Sequence, residues 1–206
     1  MHLAPTDEQQ AIASAARDLL THALSFAPVD AVHGALAACP DPVWHQCAEL
    51  GWFGLSVSEE QGGVGCGLAE SALLFVELGR HVTPGPFLGT VTAAEVAAGT
   101  DLGQAVMSGD HRVALGERDG DGATLTDAEG ADLVVIVDSD GASVHPLDPD
   151  TTSTEPSVDS LTAIGRTSTL EPALAAADPE AGAFARTLVR NAALAVGLAR
   201  RALTDS

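Results

Sequence analysis

The chain contains no lysine. Its nine basic side chains are all arginines, set against 29 carboxylates for a formal net charge of −20 over 206 residues. That balance repels a polyanion such as DNA or RNA and disfavours a nucleic-acid partner. The same acid suits plain solubility, or a basic partner subunit. Apolar runs approaching a bilayer span are also lacking, and Met1 begins no basic-then-apolar leader. We therefore expect a cytoplasmic protein without membrane contact. Cysteine is scarce: Cys39, Cys47 and Cys66 are an odd number confined to the first third, which fits reduced thiols better than a disulfide framework. His45 lies near Cys39 and Cys47, but the paired spacing that a structural zinc needs is absent, so no metal site is expected.

What is present supports a folded core, since 46% of the residues are apolar. The first third reads as helices. Thr6 and Gln9 form a capping box behind Pro5, followed by an apolar stripe at Ile12, Ala16, Leu19, Leu20 and Ala23. Asp41-Pro42 reads as an N-cap with proline at the first helical position, opening a helix to Leu50 that Gly51 closes in the left-handed conformation. The segment LAESALLFVELGR predicts a buried helix from Leu68 with a glycine stop at Gly79. HVTPGPF must turn, and a further helix runs from Leu88 to Ala98, ending at Gly99.

From Gly109 the pattern changes to short β-prone runs at Arg112 to Leu115, Leu133 to Val137 and Ala142 to Leu147. Asp140-Gly141 is a hairpin turn between the last two. Asp119-Gly120-Asp121-Gly122 is read as a second turn, because the further ligands of a calcium loop do not follow. Pro146 to Ser160 reads as a loop and Leu161 to Leu170 as another strand. Asp178-Pro179-Glu180 then opens a last helix with Phe184, Leu188, Ala192, Ala195, Leu198 and Ala202 along one face and Arg200-Arg201 near its end. Helices, then strands, then one helix make an α+β chain of packed units rather than alternating βαβ.

The run Gly62-Gly63-Val64-Gly65-Cys66-Gly67 lacks the spacing of a dinucleotide fingerprint, and no GKS or GKT follows it. On its residues alone it is a connection between helices. The sequence around it, LGWFGLSVSEEQGGVGCGLAESALLFVELGRHVTPGPFLGT from Leu50 to Thr90, resembles the N-terminal helical domain of the acyl-CoA dehydrogenase family. The family's pattern there is a helix ending LGW, then GL, an acidic pair, glycines, and a helix ending ELGR.

That resemblance implies a helical domain at 1–104, a shortened antiparallel β-domain at 105–177, and the first helix of a largely absent C-terminal helical domain at 178–206. It also implies FAD-dependent removal of hydrogens from the α and β carbons of an acyl-CoA thioester, with a carboxylate as base. The family's flavin-contacting strand motif has its nearest counterpart at Ala114-Leu115-Gly116-Glu117, so Leu115, Gly116 and Glu117 are the candidate cofactor-binding residues. Glycine replaces a threonine there, no GSD follows, and both tryptophans, Trp44 and Trp52, lie in the helical part. No catalytic residue is assigned, and Glu77 of ELGR is read as structural. The expectation is a subunit that shares an FAD and acyl-CoA site with an acyl-CoA dehydrogenase-like partner or in a self-dimer. The alternatives are a fragment of a full-length dehydrogenase, or a non-enzymatic acyl-CoA-binding scaffold without FAD.

Overall fold

Local signals set most helix starts. A computed structural model describes residues 4–24, 38–157 and 162–204. Helix α1 (Asp7–Ala23) carries the expected capping box: the Gln9 N–H donates to Thr6 Oγ1 at 3.2 Å and the Thr6 N–H donates to Gln9 Oε1 at 3.0 Å. Helix α2 (Asp41–Glu49) starts one residue earlier than read, after Pro40. Asp41 is therefore inside the first turn, where its carboxylate accepts from Arg112 Nη2 at 2.7 Å rather than capping the helix. Gly51 follows α2 in the left-handed region, at φ 75°.

The glycine run folds back on the segment before it. Gly63 N–H donates to Ser58 O, Val64 to Gly54 O, Gly65 to Val57 O and Cys66 to Leu55 O, at 2.8–3.0 Å. Those amides are used internally, so the loop is no anion cradle. It leads into α3 (Leu68–Arg80), whose Leu74, Phe75 and Leu78 are buried in a core with Trp44, Phe53 and Phe87. Gly79 does not stop this helix. It sits within it because a Cβ there would lie 2.1 Å from the Leu194 carbonyl oxygen of the last helix. Helices α4 (Phe87–Val96) and α5 (Asp101–Met107) follow; α5 was not expected, and Thr100 caps it by accepting from the Gly103 N–H at 3.1 Å.

Seven strands form one sheet: β1 (Val113–Asp119), β2 (Gly122–Thr126), β3 (Leu133–Asp138), β4 (Gly141–Pro146), β5 (Thr152–Pro156), β6 (Ala163–Thr167) and β7 (Ala175–Ala177), in the order β5-β6-β2-β1-β3-β4-β7. Every pairing is antiparallel except β1 with β3. Both expected turns close hairpins, with Asp119 opposite Gly122 and Asp138 opposite Gly141. Part of the expected loop at Pro146 to Ser160 is instead edge strand β5; residues 158–161 lie outside the described residues.

One sheet face (Val113, Leu133, Val135, Val144) packs on α4 and α5. The opposite face (Ala114, Leu125, Val134, Ile136) is covered by Leu147 and Leu170.

Asp178-Pro179-Glu180 makes a single 3-10 turn (Pro179–Ala181), and α6 (Ala183–Thr204) begins after left-handed Gly182. Its faces are the reverse of the simple apolar-inward reading. Ala183, Thr187, Arg190, Ala193 and Gly197 are buried, while Phe184 is 44% and Leu188 52% exposed. Backbone proximity is the reason: a Cβ on Gly197 would lie 2.1 Å from Val76 O, so α3 and α6 touch main chain to main chain. Among the described residues no helix is long and apolar enough to cross a membrane, and no cluster of three metal-ligating side chains exists.

Candidate functional site

Residues alternate across a strand, so β1 and β2 direct Leu115, Thr124 and Thr126 to the face that α6 overhangs. Between that face, α4 and α6 runs a groove of two adjoining cavities, of about 420 and 250 Å³. The outer one is walled by Leu115, Glu117, Val137, Phe184 and Leu188, with the threonines 124, 126 and 187. The inner one is walled by Leu78, Val82, Phe87, Leu194 and Leu198. Four residues line both: Leu88, Leu115, Thr126 and Asn191. The size and mixture suit a small-molecule ligand.

The three residues expected from sequence all border the outer cavity, but not in the same way. Leu115 is half-buried, and Glu117 is exposed at the mouth. Gly116 contributes only backbone. A Cβ there would point to the other face of the sheet and meet Ile136 Cδ1 and Val134 Cγ2 at 2.6 Å. A threonine at this position would collide there, so the hydroxyls of the groove come from elsewhere, Thr124 and Thr126 of β2 and Thr187 of α6 among them. Reading one strand motif in sequence missed Thr124, Thr126, Thr187 and Asn191, which converge from separate elements.

A buried ionic cluster holds α6 over the groove. Arg190 is fully buried. Its Nε donates to Ser71 Oγ at 2.8 Å, Nη1 to Glu95 Oε2 at 3.0 Å, and Nη2 to Ser56 Oγ at 2.9 Å and to Glu95 Oε1. Ser56 Oγ donates to Glu95 Oε1 at 2.6 Å, and Arg186 Nη2 to the same oxygen at 2.9 Å. One carboxylate of α4 thus takes two arginines of α6. The only sequence signal was arginine interrupting an otherwise apolar helix.

The groove itself is acidic. Glu117, Asp127 and Asp138 border it, and among the described residues no arginine or histidine lines either cavity. Its apolar walls and hydroxyls fit an uncharged planar ring such as that of a flavin. Among the described residues they offer no cation to the diphosphate of FAD. The two non-glycine residues with positive φ among those described, Val82 at 49° and Asp127 at 56°, both line the inner cavity. A β-branched residue there stores strain on the order of 1–3 kcal/mol.

Glu77 is engaged elsewhere. It is 3% exposed and accepts from Arg17 Nη2 at 2.7 Å, a bond that holds the Arg17 guanidinium above its ordinary range. Burial pushes Cys39 up to about 11 and Cys47 to about 12, so both are protonated thiols at neutral pH.

Residues 6–104 match the family model described as acyl-CoA dehydrogenase, N-terminal domain. The acyl-CoA dehydrogenase IpdE2 of Mycobacterium tuberculosis is 30% identical over 140 residues, covering 66% of this chain and 44% of that protein. Among solved structures, a variant of the Tcur3481-Tcur3483 steroid ACAD superposes with a TM-score of 0.71 at 26% identity, over 96% of this chain and 65% of that one. The ChsE4-ChsE5 complex from Mycobacterium tuberculosis shares the fold, with a TM-score of 0.68 at 18% identity, over 99% of this chain and 66% of that one. The chain thus spans less than half of the curated relative and just under two thirds of these structures.

Proposed function

The chain belongs to the acyl-CoA dehydrogenase family, and we propose that it is a subunit contributing one wall of a shared FAD and acyl-CoA site. A partner chain completes the site for α,β-dehydrogenation of an acyl-CoA thioester. The observation that carries this reading is the exposed apolar surface of α6, Phe184, Leu188, Val189, Val196, Leu198 and Leu203, of which Phe184, Leu188 and Leu198 line a groove with no arginine or histidine among its described lining residues. Exposed apolar surface of this kind marks an interaction site. Two structural relatives, Tcur3481-Tcur3483 and the ChsE4-ChsE5 complex, carry paired names, which supports a partner of the same family.

When bound, FAD supplies the acceptor for the hydride that leaves the β carbon. This chain's residues bind and orient. Leu88, Leu115 and Val137 give apolar contact to an uncharged ring or acyl group, and Thr124 and Thr126 give hydroxyls at its edge. Glu117 and Asp138 make the mouth unfavourable to phosphates, so the partner supplies the cations there. Glu77 is held by Arg17 and is not available as the base; on this reading the partner supplies it.

Absorption spectra of the chain alone and with a candidate partner test this reading. A flavin band only in the mixture is the expected result. No band in either preparation overturns it and leaves a scaffold of the same fold without flavin. A panel of thioesters then identifies the acyl group, and a steroid-bearing one belongs in it because one structural relative is named a steroid ACAD.

A further inference from the structure

The strain beside the inner cavity has a definite place in the fold. Helix α3 ends at Arg80, and the residues after it close the helix: the Val82 N–H donates to Gly79 O and the Thr83 N–H to Leu78 O, both at 3.0 Å. This pair of bonds ends a helix by placing a left-handed residue after the cap, a conformation that glycine enters freely. Here Val82 holds that position, at φ 49°. The buried His81 ring pins the turn, bonded through Nδ1 to Glu77 O at 2.9 Å and through Nε2 to Thr21 Oγ1 at 3.1 Å. Next in the chain, the Thr83 hydroxyl oxygen is buried with no partner among the described residues. Two unfavourable features thus fall on consecutive residues, and both residues line the inner cavity and not the outer one. Backbone strain that persists in this way gathers at elements that contact a ligand.

Resting on the proposed function, we infer that Val82 sets how long an aliphatic group the inner cavity accepts. Leu78, Phe87, Leu194 and Leu198 make the wall beside it apolar, which fits the tail of an acyl group. A cavity of about 150 Å³ holds benzene, a molecule of six carbons. In proportion the inner cavity, of about 250 Å³, takes about ten. Glycine at this position would relieve the backbone and remove the side chain that bounds the cavity, lengthening the accepted tail by about three carbons. Helix closure by itself therefore favours glycine, and what valine adds is a boundary.

Uncharged alkanols test this on the chain alone, because they need neither a partner nor a cation. Hexanol, decanol and dodecanol are titrated calorimetrically into wild type, Val82→Gly and Val82→Leu. Each methylene that enters apolar surroundings tightens binding by about fourfold. Wild type is expected to gain at that rate from hexanol to decanol, then by less than about fourfold in all from decanol to dodecanol. In Val82→Gly that last gain should rise to about tenfold or more. Its melting temperature should equal or exceed that of wild type, because the strain is gone. Val82→Leu adds a carbon to the wall and should weaken decanol by about fourfold while leaving hexanol unchanged. It keeps the test independent of how glycine affects folding. A valine that served packing alone would lower the melting temperature when truncated and leave the length dependence unmoved. That result, the same length dependence in all three proteins, or no binding of any alkanol overturns the inference. A flavin band with a partner but no effect of the Val82 substitutions sinks this inference alone; such an effect without flavin sinks the shared flavin site alone.

Discussion

Replacing Glu95 by alanine tests whether the cluster beneath α6 positions the groove. The carboxylate accepts from Arg190 through both Nη1 and Nη2, from Arg186 Nη2 and from Ser56 Oγ. Arg190 has no route to water, whereas the Arg186 side chain is 35% exposed and can turn outward. The variant therefore leaves one guanidinium buried, with only Ser71 and Ser56 as partners. Breaking a buried pair in this way costs about 3–5 kcal/mol, a large share of the 5–15 kcal/mol that holds a typical domain.

With a urea m-value on the order of 2 kcal/mol/M, the midpoint falls by about 2 M. The change is read from the fluorescence of buried Trp44 and Trp52. The double variant Glu95→Leu with Arg190→Met replaces the ion pair by apolar groups and should recover most of the loss, since such swaps are often neutral. It keeps the test informative even where the single variant does not fold. A drop below about 0.5 M in the single variant corresponds to an exposed pair worth about 1 kcal/mol or less. That result would refute the reasoning.

Gly197→Ala gives a second test, in which two effects oppose. Alanine favours a helix over glycine by about 1 kcal/mol, but its Cβ would lie 2.1 Å from Val76 O and 2.7 Å from the Arg80 N. Net destabilisation of about 1–3 kcal/mol is expected from forcing α3 and α6 apart; a raised melting temperature would show that the helices do not meet there. The third concerns pH. Glu70 is held below the ordinary carboxylate range by the Gln9 side chain, which donates at 2.8 Å, and by backbone N–H groups including that of Gly67. Its contribution is complete above the unfolded value of about 4.3 and is lost as pH falls through the lower folded value. Wild type should therefore lose more stability on acidification than Glu70→Gln, and equal losses would contradict the assignment.

The parts legible in the sequence were those decided within a few residues. The capping box at Thr6 and Gln9, left-handed Gly51, and the hairpins at Gly122 and Gly141 each satisfy backbone groups or φ angles locally. The glycine run was legible twice over, as a helix connection by its spacing and as a family segment by its resemblance. Strands β2, β5 and β7 were not legible. They are short, and small or polar in composition, and their stability comes from partners distant in sequence.

Sequence by itself therefore determined the longer helices, strands β1, β3, β4 and β6, most turns and the family, because those follow from local preference and contiguous pattern. Only tertiary structure decided which face of α6 is buried. Glycine contacts and the Arg190–Glu95 pair outweigh the leucine stripe, and both depend on residues of α3 and α4 far along the chain. Tertiary structure likewise aimed the side-chain direction of Gly116 at the opposite sheet face, leaving only its backbone at the groove, and brought Thr124, Thr187 and Asn191 to it. Residues from three separate elements become neighbours only when packing brings those elements together, and no spacing along one chain encodes that distance.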